Sequence, residues 1–333
     1  MNTFGRIFRV SVFGESHGEV VGVLVDGCPA GISLSDSDML PDLGRRKSGQ
    51  KGTTQRKETD IPLIKSGIFN GKTTGAPILV IFENKDTDSS AYEKIKDLPR
   101  PGHADFTAFR KFGGFNDYRG GGHFSGRLTA GIVAAGCIAK KILGQVRVEA
   151  KLVEAGSSKD VQGAVDSSLK SRDSVGGIVE CTVTGLPVGL GEPFFDSVES
   201  LISHAMFSVP AIKGIEFGSG FALAKMKGSE CSDSILDAKG RTGSNHEGGI
   251  NGGITNGNPL SFRFAVKPTS STALMKKTVD LKSGAQASIS VEGRHDACVA
   301  LRVPVIAEAM AAIVLADLMI IARKIPLTAK GGL

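Results

Sequence analysis

Histidine is the residue type whose placement in this sequence most favours chemistry. Five of the six histidines lie in polar or glycine-rich segments. These are His17 in GESHG, His103 in RPGHAD, His123 in RGGGHFSGR, His246 in SNHEGG and His295 in GRHDAC. An imidazole gains and loses a proton near neutral pH, which suits it to general acid–base catalysis. A lone histidine is more often structural than catalytic, but repeated placement beside glycine and arginine indicates a site of proton transfer.

Two other chemistries fit parts of these segments less well. Residues 14–18, GESHG, match G-x-S-x-G, the nucleophile elbow of serine hydrolases, but that elbow requires a following helix. The residues that follow, EVVGVLVDGCPAG, are rich in β formers and interrupted by glycine and proline. A metal site could use His246 with Glu247 or His295 with Asp296, yet adjacent side chains on an extended chain point apart and no HxxxH pair occurs. The sequence therefore disfavours a serine hydrolase and a metal enzyme.

The positive charge favours a small anionic ligand. The formal net charge is +6, and the densest basic run lies between residues 45 and 57. Its cations are Arg45, Arg46, Lys47, Lys51, Arg56 and Lys57. Proteins that bind single-stranded nucleic acid usually add stacking aromatics, whereas this chain has no tryptophan and only two tyrosines. We therefore expect a phosphate- or carboxylate-bearing ligand and no nucleic acid, with a solvated basic loop as the alternative.

Other segments could also hold an anion. The glycine-rich residues 119–123 and 245–257 could direct successive backbone N–H groups at a ligand, although neither has the spacing of a nucleotide-binding loop. Residues 267–271, KPTSS, offer a cation and three hydroxyl groups. An ordinary polar turn is an equally good interpretation of that segment alone. A non-catalytic binder of phosphorylated ligands therefore remains open.

The elements that must hold these segments are of mixed type. Hydrophobic patterning predicts strands over 8–13, 20–25, 73–82, 177–184, 214–225 and 260–266, helices over 35–43, 126–143 and 303–323, and a loop over 86–91. GESHG should join the first two strands, and Ser35 should cap the first helix. Strands and helices do not alternate regularly, which favours a layered α+β fold. The sequence has no convincing domain boundary, so we expect a single domain over residues 1–333.

The composition favours a cytoplasmic protein. The five cysteines are odd in number, far apart and without a CxxC pair, as expected of reduced thiols. The N-terminus lacks the long apolar region of a signal peptide. The most apolar stretch, residues 303–322, contains Glu308 and Asp317, whose charges would be costly in a bilayer. We therefore expect a buried helix there and no association with a membrane.

Taken together and in order, these segments resemble the chorismate synthase family from about Gly5 to Arg323. The matching segments are FGESHG, VDGCPAG, TTQRKE, TTGAPI, RPGHADFT, DYRGGG, AAGCIAKK, KGIEFGSGF, GGITNG, KPTSS and GRHDACVALRVPVIAEAMAAIVLAD. The resemblance implies a 1,4-elimination of phosphate from 5-enolpyruvylshikimate 3-phosphate to give chorismate, a step of the shikimate pathway of aromatic amino acid biosynthesis. It also implies reduced FMN as a cofactor that is required but not consumed.

The resemblance further implies roles for individual residues. His17 would protonate the departing phosphate, His103 would donate a proton toward the reduced flavin, and Asp296 would assist deprotonation at the flavin nitrogen that takes up the substrate hydrogen. The substrate-binding positions fall on Ser16, Arg46, Lys51 and Arg100. The flavin-binding positions fall on His123, Phe124, Ser125, Ala211, Gly252, Lys267, Pro268, Thr269, Ser270, Ser271 and Arg294, the last of which also matches an anion-contacting position.

Three positions depart from the pattern of the family. His123 and Phe124 stand where many members have arginine and serine, so one guanidinium is missing. Gly52 stands where a second arginine is expected, and Lys51 could substitute for it as a point charge but not as a fork. Pro210 replaces an asparagine, which removes a side-chain amide and a backbone N–H.

The resemblance also implies architecture and assembly. Members of the family form a β-α-β sandwich, in which central helices lie between antiparallel sheets, and assemble as homotetramers. Some members have flavin reductase activity with NADP(H), but this short chain has no separate nicotinamide-binding segment. We therefore expect it to use flavin that is reduced elsewhere.

Overall fold

The computed structural model describes residues 2–54, 56, 58–291 and 295–325. Its strands are β1 (Thr3–Phe4), β2 (Arg9–Gly14), β3 (Val20–Asp26), β4 (Leu63–Ile64), β5 (Ile68–Phe69), β6 (Lys72–Thr73), β7 (Ile78–Glu83), β8 (Arg147–Ala155), β9 (Gly177–Thr184), β10 (Ile212–Phe217), β11 (Ile250–Asn251), β12 (Ile254–Thr255), β13 (Leu260–Val266), β14 (Lys276–Val279) and β15 (Gln286–Ile289). Its α-helices are α1 (Leu40–Arg46), α2 (Ser90–Glu93), α3 (Asp105–Lys111), α4 (Thr129–Leu143), α5 (Val161–Ser171), α6 (Val198–Phe207), α7 (Gly228–Cys231) and α8 (Val303–Ile321).

Two antiparallel sheets form the outer layers. The first has the strand order β1-β2-β3-β7-β4 and the second has the order β10-β13-β9-β8. In β3, the alternating residues Val21, Val23 and Val25 are completely buried, as a strand with one face on the core requires. In β13, Phe262 and Phe264 are buried in the same alternation.

Helices α4 and α8 lie between the sheets. Helix α4 packs on β3 and β7, α8 packs on β8 and β9, and the two helices pack on each other. The helix pair is close because Gly136 faces Ala309, where a Cβ on the glycine would lie 2.3 Å from the alanine Cβ. The small side chains of α4 thus let the two layers share one core, and the expected α+β sandwich with central helices is confirmed.

The two carboxylates of the apolar helix α8 are each fully paired. Glu308 accepts hydrogen bonds from Arg45 at 2.6 and 2.7 Å and from Lys140 at 2.8 Å. Asp317 accepts the backbone N–H groups of residues 6, 7 and 8 at 2.8–2.9 Å. Burial of a carboxylate is tolerated when such partners are present. The stretch Val299–Ile321 is long and apolar enough to cross a membrane, but 89% of its most apolar window is buried in the protein.

Most predicted elements are confirmed, with shifted ends. The strands at 177–184 and 260–266 agree with β9 and β13, and the long helices agree with α4 and α8. The helix at 35–43 is a 3-10 turn, Asp36–Met39, followed by α1, and the backbone N–H of Ser35 donates to Asp38 at 2.8 Å.

Two predicted strands are wrong in part. The strand at 73–82 is interrupted between β6 and β7, where Gly75 has a φ of +88° and Pro77 has no N–H to donate. The strand at 214–225 ends at Phe217, because Gly218 and Gly220 have positive φ and a 3-10 turn, Gly220–Lys225, follows. The loop expected at 86–91 extends only to Ser89, because α2 begins at Ser90.

Candidate active site

The GESHG segment forms the loop between β2 and β3, as predicted. Ser16 donates its backbone N–H to the carbonyl oxygen of Gly122 at 3.0 Å. Nδ1 of His17 lies 2.8 Å from the hydroxyl of Ser89, and its ring meets the edge of the Tyr92 ring at 5.4 Å between centroids. These contacts fix the imidazole of His17 between the loop and α2.

A turn of three glycines separates His17 from His103. Gly120, Gly121 and Gly122 all have positive φ, a conformation that glycine adopts without strain. A Cβ on Gly120 would lie 2.4 Å from Cδ2 of His17, and a Cβ on Gly121 would lie 3.3 Å from Cε1 of His103. The two imidazoles therefore flank one backbone turn, and the glycines are needed there because the backbone approaches both rings closely.

His103 is held by a carboxylate. Its Nδ1 lies 2.6 Å from Asp105 and 3.1 Å from a terminal nitrogen of Arg100. Since a carboxylate only accepts and a guanidinium only donates, the shorter contact places the proton of Nδ1 toward Asp105. Nε2 of His103 is then the ring atom available for proton exchange at the glycine turn.

The electrostatic surroundings of these side chains differ. Burial lowers the pKa of His17, and the nearby cation Arg56 lowers it further. Burial alone would raise the pKa of Asp105, but hydrogen bonds from Arg100 and His103 outweigh it and hold that pKa well below the usual value. Asp105 is therefore a permanent anion beside His103.

A buried pair of arginines shares one carboxylate behind the GESHG loop. Arg46 donates to Asp60 at 2.6 Å and to Thr129 at 3.2 Å, and Arg127 donates to the other oxygen of Asp60. Arg46 is 2% exposed, and its Nε has no hydrogen-bond partner among the described residues. Two cations against one anion leave a net positive charge, which favours an anionic ligand nearby.

The KPTSS segment contacts the RPGHAD loop. Lys267 and Ser270 both donate to the carbonyl oxygen of Gly102, and Ser271 accepts from Arg100 at 3.2 Å. Lys267 is also one of three neighbouring lysines, with Lys213 and Lys276. Burial lowers the pKa of Lys267, and those two cations lower it further.

Asp296 is joined to the basic run near the start of the chain. It accepts the backbone N–H of Thr54 at 2.9 Å and lies 3.5 Å from Arg302. Its neighbour His295 is strongly desolvated, since burial lowers the pKa of that imidazole to about 4, with Arg100 adding to the effect. Arg294, predicted to bind flavin and an anion, lies outside the described residues.

Comparison with known proteins decides the family. The model of the family described as chorismate synthase matches residues 8–320. The chorismate synthase of Chitinophaga pinensis is 64% identical to this chain, with 97% of this chain and 98% of that protein covered. The chorismate synthase of Dehalococcoides mccartyi is 45% identical, with 98% of each covered.

This chain belongs to the chorismate synthase family. A solved crystal structure of a chorismate synthase has the same fold, with a TM-score of 0.75 and 27% sequence identity over 96% of this chain and 93% of that one. The chain is thus an enzyme of the carbon–oxygen lyase type that eliminates phosphate from 5-enolpyruvylshikimate 3-phosphate, in the shikimate pathway.

The residues that depart from the family pattern have defined surroundings. Nδ1 of His123 lies 2.8 Å from the carbonyl oxygen of Gly14, and its Nε2 lies 3.1 Å from the side-chain oxygen of Asn2, so both ring nitrogens are occupied within the chain. Gly52 has a φ of +90°, and a Cβ there would lie 2.4 Å from a methyl of Val165, which leaves no room for an arginine. Lys51 is 63% exposed and pairs with Asp166 of α5 at 2.8 Å.

The other flavin-binding positions are spread over several elements. Phe124 is 40% exposed and meets Phe112, whereas Ser125 caps the turn that leads into α4. Ala211 has a φ of +76°, and its carbonyl oxygen accepts the N–H of Lys267 at 2.8 Å. Gly252 lies in the turn of the β11–β12 hairpin, whose backbone hydrogen bonds run to residues 189–198.

The structure adds residues that the sequence did not single out for the site. Side chains that contact the histidine loops or the buried arginines come from Arg56, Asp60, Asn84, Ser89, Tyr92, Asp105 and Arg127. Arg56 lies in TTQRKE and Asp105 lies in RPGHADFT, two of the segments that match the family. Their position in those segments could have identified both residues from the sequence. Asp60 and Asn84 are single polar residues whose partners lie far away in the sequence, so no local pattern marks them.

Proposed function

We propose that the chain uses reduced FMN to carry out its elimination at the glycine turn, with His17 and His103 as proton donors. The observation that carries this proposal is that the Nε2 atoms of both imidazoles face the same turn. A Cβ on Gly120 would lie 2.5 Å from Nε2 of His17, and one on Gly121 would lie 3.4 Å from Nε2 of His103. Two proton donors that flank one backbone turn match a reaction that needs protons at two places.

Buried polar atoms without partners support a polar ligand at this site. Among the described residues, Oγ1 of Thr269, Oγ1 of Thr272 and Nε2 of His295 are buried and make no hydrogen bond. Such atoms cost free energy unless something satisfies them, about 1–3 kcal/mol each. A cofactor with a phosphate and a polar ring system would satisfy them, so the residues present fit FMN.

The three lysines near KPTSS suit the phosphate of the cofactor. Lys267 is half-buried beside Lys213 and Lys276, whose mutual repulsion an anion would relieve. Ser270 and Ser271 add hydroxyl groups on the same segment. Ala211 accepts the backbone N–H of Lys267 at 2.8 Å, and Pro268 follows that lysine. Pro268, Gly252, Phe124 and Ser125 stay further proposed contacts.

His17 would protonate the phosphate as it leaves. Burial and Arg56 disfavour its charged form, so a proton on His17 is readily given up to an anion. Arg56 donates to the hydroxyl of Ser16 at 2.9 Å and to its carbonyl oxygen at 3.0 Å, which holds the loop beside that cation. The anionic groups of the substrate would bind Ser16, Arg46 and Arg100, with Lys51 as a proposed additional contact.

His103 and Asp296 would manage protons on the side of the cofactor. Reduced FMN, when bound, supplies electron density transiently and accepts the substrate hydrogen. Asp105 keeps a proton on Nδ1 of His103 and orients the ring, so the doubly protonated imidazole would donate its second proton from Nε2. The carboxylate of Asp296 keeps one oxygen on the N–H of Thr54 and could accept a proton on its other oxygen.

We assign the chain to the cytoplasm as a single domain that forms a homotetramer and takes flavin reduced elsewhere. One hydrophobic core containing α4 and α8 joins the two sheets, which supports the single domain. Large apolar side chains are strongly exposed, including Phe194 at 86%, Phe195 at 92% and Phe221 at 79%. Exposure of this kind supports association between copies of the chain.

Anaerobic incubation of the protein with reduced FMN and 5-enolpyruvylshikimate 3-phosphate tests the proposal. We expect equal amounts of phosphate and chorismate, with no net oxidation of the flavin. Folded protein that binds both ligands without forming product would contradict the proposal and favour a non-catalytic binder. Product formed at the same rate without flavin would also contradict it.

A further inference from the structure

Asn84 holds both ends of the loop that carries His17. Its side-chain amide nitrogen donates to the carbonyl oxygen of Glu15 at 3.1 Å and to that of Gly18 at 2.8 Å. Its backbone N–H donates to the carbonyl oxygen of Glu19 at 3.0 Å. Three hydrogen bonds from one residue thus span the GESHG loop.

The orientation of this amide is determined by an arginine. Nε of Arg127 donates to the side-chain oxygen of Asn84 at 2.8 Å. Because a guanidinium has no acceptor, the oxygen of Asn84 must face Arg127 and the NH₂ group must face the two carbonyls. An aspartate of the same shape could keep the arginine but could not donate to the loop.

Arg127 extends the connection to the proposed substrate-binding arginine. Asp60 pairs with Arg127 through one oxygen and with Arg46 through the other, at 2.6 Å. The side chains of all three are at most 4% exposed. A continuous chain of hydrogen bonds therefore runs from Arg46 to the two carbonyls that flank His17.

We propose that Asn84 is a positioning residue that holds His17 in register with the anion-binding arginine Arg46. Ser16, directly before His17, is anchored separately by Gly122 and Arg56, and those contacts do not involve Asn84. Asn84 fixes the residues on both sides of His17. A proton donor must stay within hydrogen-bond reach of the leaving group, and a displacement near 1 Å can reduce turnover by roughly 10²-fold.

The inference rests on the proposed role of His17, and two variants test it. In Asn84→Ala and in Asn84→Asp, we expect kcat to fall roughly 10- to 100-fold while KM changes little, because the geometry of the proton donor is lost rather than substrate binding. Asn84→Asp keeps the partner of Arg127, so it tests the loop contacts even if Asn84→Ala does not fold. Turnover is measured anaerobically with reduced FMN. It is divided by the concentration of folded protein, which the thermal melting curve of each variant gives at the assay temperature.

A second measurement does not depend on activity. Hydrogen–deuterium exchange of a peptide covering residues 14–19 should be faster in both variants, since Gly18 donates its N–H within this loop to Glu15 at 3.1 Å. Asn258→Ala is the matched control, because its amide nitrogen bridges Gly240 and Asn256 at 3.0 Å each. The control should change neither kcat nor exchange at 14–19.

Either of two results would overturn the inference. One is the wild-type kcat in both Asn84 variants. The other is a loss of kcat with unchanged exchange at residues 14–19, which would show a general structural role. His17→Ala separates this inference from the proposed function: if that variant keeps wild-type turnover, the role of His17 fails, whereas a loss there with active Asn84 variants removes only the role of Asn84.

Discussion

The two sides of the glycine turn place the same side chain in opposite surroundings. Nδ1 of His17 meets a hydroxyl, that of Ser89, and a cation lies near the ring. Nδ1 of His103 meets the carboxylate of Asp105 at 2.6 Å. The two imidazoles therefore differ in the partner of Nδ1 although the residue type is the same, and such a partner orients the ring and determines which nitrogen carries the proton.

Removing either imidazole is the strongest test of this comparison. We expect His17→Ala and His103→Ala each to retain FMN binding and to lose turnover by roughly 10²-fold or more, as when a general acid is removed. Anaerobic turnover and flavin titration by absorbance check both statements. Wild-type turnover in either variant refutes the role assigned to that histidine.

Alanine substitutions in the turn should distinguish the two sides. In Gly120→Ala, the new methyl would lie 2.4 Å from the ring of His17, so the ring must move by about 1 Å and kcat should fall roughly 10- to 100-fold. In Gly121→Ala, the contact with His103 is 3.3 Å, so a shift of a few tenths of an ångström suffices and the loss should be several-fold smaller.

Both substitutions also strain the backbone, and a matched variant isolates that effect. Gly284 has a φ of +73° with nothing within 4 Å of a Cβ, so Gly284→Ala should lower stability by about 1–2 kcal/mol without changing kcat. Equal kcat values for Gly120→Ala and Gly121→Ala would show that steric contact with the rings does not set the rate.

Titration of His295, whose pKa is affected by burial and by Arg100 near His103, should make the stability of the protein depend on pH. Its pKa in the folded protein is about 4, below the value of 6.5 for a free histidine, because burial disfavours the charged form. Between about pH 6.5 and pH 4 the unfolded chain binds a proton on His295 and the folded chain does not. The free energy of unfolding is therefore highest above pH 6.5 and falls by about 3 kcal/mol as the pH is lowered to 4. Urea denaturation of wild type and His295→Phe across this range should give a shallower slope for the variant. Identical slopes would contradict the prediction.

Lys51 should give the smallest effect. Its pair with Asp166 is exposed, so Lys51→Ala should leave the free energy of unfolding almost unchanged. If Lys51 binds substrate as proposed, the KM of Lys51→Ala should be higher than that of the wild type when both are measured at low ionic strength, and kcat should be the same. Asp166→Ala breaks the same ion pair and is the control; an equal KM for the two variants and the wild type would remove Lys51 from the site.

Much of this protein is determined by its sequence alone. Alternating apolar residues place β9 and β13 without error, and small apolar residues at helical spacing place α4. The motifs in order specify the family, and with it the reaction. Such signals are local, since each element or motif carries its pattern within about twenty residues.

The tertiary structure decides which polar groups meet. Gly120 meets His17 and Gly121 meets His103 only because the turn, the β2–β3 loop and the RPGHAD loop converge. Asp60 joins Arg46 to Arg127 although Asp60 and Arg127 lie 67 positions apart in the sequence. Burial, which arises only on folding, lowers the pKa of His17 and of His295, and the distant cations Arg56 and Arg100 add to it. The hydrogen bonds that lower the pKa of Asp105 come instead from Arg100 and His103 in its own loop. No periodicity encodes such contacts, because their energy comes from geometry that exists only in the folded chain.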